Sequence, residues 1–154
     1  MALQLSTGLR NGMLNSTGFT EAFDDGIIYI YSGPQPTNAD AAIQGTELLK
    51  ITVNNGAWSP GSPTNGLGWE TAANGAIAKA TGETWRGLGI NGGGTAGWFR
   101  LCGNAADAGG SSTTLPRLDG TVAVSGGDLN LSSITIVNGA PTTIDTFTFT
   151  LPAS

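Results

Sequence analysis

Turn-forming residues recur along this chain at intervals too short for long helices. Gly33-Pro34, Asn54-Asn55-Gly56, Pro60-Gly61, Thr81-Gly82, Asn91-Gly92-Gly93-Gly94, Ser125-Gly126-Gly127 and Asn138-Gly139 punctuate it. Such combinations supply positive φ or block helix continuation. The runs between them are rich in β-branched and aromatic residues, from Gly26-Ile27-Ile28-Tyr29-Ile30-Tyr31-Ser32 onward. Further runs cover 48–53, 76–80, 84–90, 95–102 and 118–124. Leu129 and Leu131 continue the pattern, then Ile134 and Ile136, and 144–151 closes it. Short strands with frequent turns predict an all-β protein: a single-domain antiparallel β-sandwich or jelly-roll-like fold of about eight strands. The segments between runs are too polar and Gly-rich for the crossover helices of a parallel sheet.

Side chains alternate between the two faces of a strand. In 95–102 this sets Trp98, Arg100 and Cys102 on one face and Phe99 and Leu101 on the other. Alternation assigns the core to Ile28, Ile30, Leu49, Ile51, Val53, Phe99, Leu101, Val122, Val124, Leu129, Leu131, Ile134, Ile136, Phe147 and Phe149. A turn of helix is expected at 38–43, capped by Asn38 or Thr37.

Residues 1–25 read differently and are set apart as an N-terminal arm, with the β domain at 26–154. Leu5, Leu9 and Met13 lie four apart, as do Phe19 and Phe23, while Gly8, Gly12 and Gly18 interrupt them. This spacing predicts one or two short helical turns, the second capped by Ser16 or Thr17.

Ionised side chains are scarce: six basic and eleven acidic residues give a net charge of −5. The basic ones are scattered singly, which argues against nucleic acid or an acidic membrane surface as partner. Histidine is absent, which removes the commonest general base and the usual zinc ligand. Cys102 is the lone cysteine; it follows an apolar run and reads as a small buried hydrophobe. Glu70 and Glu83 lie beside Trp69 and Trp85, but a glycosidase needs two carboxylates facing each other across a sugar. Asp24-Asp25-Gly26 and Gly126-Gly127-Asp128 lack the dense acids of a calcium loop. No catalytic residue, metal ligand or cofactor is assigned. The N-terminus lacks a basic segment followed by an apolar run, so synthesis in a cytoplasm is expected.

The order of segments carries a resemblance. It comprises a short Leu- and Gly-containing arm, then GIIYIYSGPQPTNADAA (26–42), SPTNGL (62–67), AKATGETW (78–85), TAGWFRL (95–101) and the stretch from RLDGTV (117–122) to the C-terminal NGAPTTIDTFTFTLPAS (138–154). Together these resemble small structural virion proteins of tailed bacteriophages, above all capsid decoration (cement) proteins. The resemblance implies a β-rich, non-enzymatic protein on the capsid exterior. It further implies bridging of major capsid protein subunits and action as a homo-oligomer, commonly a homotrimer. A tail or head–tail connector protein, or a carbohydrate-binding module of a virion, is the alternative. The resemblance transfers no active-site residue.

Interfaces of that kind use aliphatic and aromatic anchors with little charge at their centre. Candidate anchors are Leu5, Leu9, Met13 and Phe19 in the arm, and Trp58 and Trp69 in the turn-rich link. Each has the chain's own core as its other reading, on equal terms for the arm residues. For Trp85 and Trp98 the core is the stronger reading.

Overall fold

The computed structural model describes residues 3–153; Met1, Ala2 and Ser154, the outermost residues of the expected arm and domain, lie outside the described residues. Among the described residues the chain is all-β with two short helices. Strands β1 (Gln4–Leu5), β2 (Ile27–Ser32), β3 (Glu47–Val53), β5 (Trp85–Leu88), β6 (Gly94–Cys102), β7 (Arg117–Ala123), β8 (Leu129–Asn130), β9 (Thr135–Ile136) and β10 (Pro141–Ile144) form one sheet. Its main path runs β1-β7-β6-β2-β3-β5-β10, with β8 on β7 and β9 on β6. Every pairing is antiparallel except β7 with β8. A second, two-stranded sheet pairs β4 (Ala76–Ala78) with β11 (Thr148–Thr150).

Register explains the core. Leu49 and Ile51 pair with Ile30 and Ile28, which pair in turn with Phe99 and Leu101, and Leu101 with Leu118. Val53 continues to Trp85 and then Ile144. This inner face is one apolar surface, as the alternation requires. The small sheet and the helices cover it. Phe147 meets Phe99 edge-on at 5.7 Å, and Phe149 stacks on Phe19 at 4.4 Å. The arrangement is sandwich-like, with a second layer much smaller than the first.

Several local expectations are corrected. Helix α1 (Thr7–Asn15) is capped by Ser6, whose Oγ accepts the Leu9 N–H. Helix α2 (Phe19–Phe23) starts at Gly18, which has no side chain to cap it, one position beyond Thr17; the backbone N–H groups of Ser16 and Thr17 close α1 on the Gly12 carbonyl. No helix forms at 38–43. The Asn38 side chain accepts the Asp40 N–H instead, a local turn that competes with helical bonding. The run 144–151 is two strands in two sheets, not one. Pro141, expected in a turn, opens β10, where an edge strand tolerates its missing N–H. Val124 is 58% exposed rather than in the core, because β7 ends at Ala123 and the chain turns away at once to bring Leu129 beside Val122.

The N-terminal segment is fastened to the domain. β1 pairs with β7, and Leu9, Phe19 and Phe23 belong to the same core as the sheet. The approach is close: a Cβ on Gly8 would lie 2.4 Å from the Thr114 carbonyl oxygen, so only glycine fits there.

Candidate functional site

The outer face of the sheet carries polar and aromatic side chains in register. Tyr29 pairs with Lys50 on one side and Arg100 on the other; Arg100 pairs with Asp119, Tyr31 with Trp98, and Cys102 with Arg117. Two loops fold over this face, residues 33–46 and 103–116. They hold each other through Ile43 N–H to the Gly109 carbonyl (2.9 Å) and Ser112 N–H to the Asp40 carbonyl (2.8 Å). Both faces of β6 are therefore buried, and Trp98, Phe99, Arg100, Leu101 and Cys102 are all nearly inaccessible.

Beneath the loops lie two ion pairs. Arg100 donates from Nε and Nη2 to the two carboxylate oxygens of Asp119, at 2.8 and 2.7 Å. Arg117 does the same to Asp107, at 2.7 Å for both bonds. The loops complete the set: Arg100 Nη2 also donates to the Ala41 carbonyl, and Arg117 Nη2 to that of Gly110. Such two-pronged guanidinium–carboxylate contacts are strong and geometrically demanding. Burial alone would lower Arg100's affinity for its proton, but the hydrogen bonds and charge of Asp119 outweigh it and raise the guanidinium further. Burial likewise pushes the Asp107 carboxyl up, yet bonds from Arg117 and the Gly109 N–H hold it below its ordinary value. The Cys102 thiol donates weakly to Asp107 Oδ2 at 3.6 Å, and burial, then the Asp107 charge, push it well above the usual thiol range. It is a poor nucleophile for that reason.

At the margin of this cluster opens a cleft of about 220 Å³, lined by Tyr29, Tyr31, Lys50 and Glu47 from the strands and by Ile43, Asp107 and Gly109 from the loops. Arg100 forms its floor, where Nη1 has no hydrogen-bond partner among the described residues. A second hollow of about 210 Å³ adjoins it, sharing Tyr29 and Lys50 and ending at Trp58.

The six candidate anchors are not brought together. Leu9 and Phe19 are buried in the chain's own core, and Leu5, Met13 and Trp69 pack against it. The apolar spacing that suggested a partner is satisfied internally. Trp69 meets Phe19 and Trp85 edge-on and donates its N–H to the Phe23 carbonyl. Only Trp58 stays at the surface, half-buried and tied to the Asp25 carbonyl at 2.8 Å. The carboxylates near the tryptophans serve turns: Glu70 accepts from Thr81, and Glu83 accepts the Gly68 N–H and the Trp85 indole. Asp128, in the other Gly-rich turn, accepts from the Thr121 N–H and hydroxyl.

The sequence reading missed the outer-face cluster. Its signal was two aromatics, Tyr29 and Tyr31, on the face of β2 opposite Ile28 and Ile30, and a charged residue inside each of two apolar strands. No protein-family model matches the chain, and comparison with curated proteins and with solved structures gave no match either.

Proposed function

We propose that this chain is a non-enzymatic structural virion protein that decorates a bacteriophage capsid exterior and bridges major capsid protein subunits, acting as a homo-oligomer, with a trimer as the first state to test. The observation that carries the reading is where the charge lies. Four of the few ionised side chains, Arg100, Asp107, Arg117 and Asp119, are paired under the loops with side chains at most 6% exposed. The outer surface is left poorer still in charge, and such a surface loses little when another protein covers it. Among the described residues, Leu14, Ile43, Leu88, Val124, Val137 and Leu151 are the exposed large apolar side chains available for contact.

The test uses phage heads assembled without this chain. Adding the purified protein should restore resistance to heat and osmotic shock, with a copy number matching the capsid lattice. A copy number matching a neck or tail ring would replace capsid decoration by the tail or connector reading. Heads as robust without the chain as with it would remove the stabilising role.

A further inference from the structure

We propose that the outer-face cleft is a binding site for a neutral saccharide, with Tyr29 as its platform. Arg100 Nη1 is buried with no hydrogen-bond partner among the described residues, and the phenols of Tyr29 and Tyr31 line the same cleft. Burial keeps both phenols above their usual pKa range, so they remain donors at neutral pH. The Lys50 ammonium stands at the rim, 58% exposed, on a loose 3.6 Å contact with Glu47.

These donors face acceptors in the same cleft. Glu47 supplies carboxylate oxygens, those of Asp107 being taken by Arg117, Gly109 and Cys102, and the charges at the cleft cancel in pairs, Lys50 with Glu47, Arg100 with Asp119 and Arg117 with Asp107. An anionic ligand gains no net attraction there, and the chain's −5 charge opposes it further. A ligand that both donates and accepts, while presenting an apolar face, fits the lining. A pyranose does this: its hydroxyls are donor and acceptor at once, and its C–H face packs on an aromatic ring. Tyr29 is half-buried and borders both hollows, so its ring is offered to each. Trp58 at the far end would take a second sugar ring, which makes a short oligosaccharide a better ligand than a monosaccharide. Trp69, beside Glu70 in sequence, is excluded by its place against the core. The site is independent of whether the chain sits on a capsid.

The experiment is a titration of the isotope-labelled full chain, followed by its amide spectrum, with neutral oligosaccharides of glucose, galactose and N-acetylglucosamine up to about 10 mM, a decade beyond a millimolar Kd. At least one series should shift amides of Tyr29, Tyr31, Lys50 and Gly109. Tyr29→Ala should weaken that binding tenfold or more. Lys50→Ala, at an exposed rim position that leaves the fold intact, should weaken it severalfold. No shift with any series would overturn the proposal. Shifts confined to another surface, or unchanged by both substitutions, would overturn it equally.

Discussion

Asp119 is fully buried and lies directly across from Arg100, so removing its charge strands a guanidinium that is itself only 1% exposed. Asp119→Asn is expected to cost about 3–5 kcal/mol, read from urea unfolding of the variant beside the parent chain. Replacing both partners with apolar residues of similar volume should cost much less, because no unpaired charge remains. Asp107 makes a pH prediction. Its folded pKa lies below the ordinary value of 3.8, so its stabilising contribution is complete above that value. It is lost as pH falls from 3.8 through the lower folded value. An acid-unfolding series should show this loss in the parent chain and not in Asp107→Asn. Alternation along 95–102 does place Arg100 on a face with Trp98 and Cys102. Its partner could not be read that way, because the pairing of β6 with β7 is set by tertiary register across the Gly-rich 103–116 loop. Val124 fails for a related reason: alternation continues in the residues after the strand has ended in space.

Helix α1 is held at its start by the Ser6 hydroxyl and by Asp40, whose carboxylate accepts the Thr7 N–H. Ser6 Oγ accepts from Leu9 N–H and Arg117 N–H and donates to the Leu115 carbonyl. Ser6→Ala removes a helix cap and leaves two buried N–H groups unpaired, for an expected loss of about 1–3 kcal/mol. Amide exchange should accelerate in α1 and at Arg117 before it does in β2. Phe19 tests the same segment from the other side. It lies between Phe149 and Trp69, so Phe19→Ala should cost about 3–5 kcal/mol of the isolated chain's stability. A residue serving only a partner would leave that stability untouched. The longest strands, β2, β3, β6 and β7, fall within a residue or so of their expected positions, because apolar runs with period two specify strands almost unaided. The weak elements do not. The last run is divided at Asp145 by a change of sheet, and Asn38 uses its side chain in a turn where a cap for a helix was expected. Both outcomes depend on neighbours distant in sequence.

At the scale of the whole molecule, the large sheet is covered twice, by helices and a small sheet on one face and by two interlocked loops on the other. The apolar layer was readable from composition and period. The polar layer was not, since its residues are spread over β2, β3, β6, β7 and a loop, and no local pattern unites them. That second layer shields the sole cysteine. Cys102 is 3% exposed beneath the loops and hydrogen-bonded to Asp107. Cys102 borders the cleft at this low exposure and a thiol reagent gains full access as the loops part, so labelling under native conditions should run far slower than in urea. With one sulfhydryl per chain, each labelled molecule records a single kind of event. The chain thus contains its own clock for the breathing of its outer layer, readable without mutation, and a bound ligand that bridges β2 and the 107–109 loop would slow it.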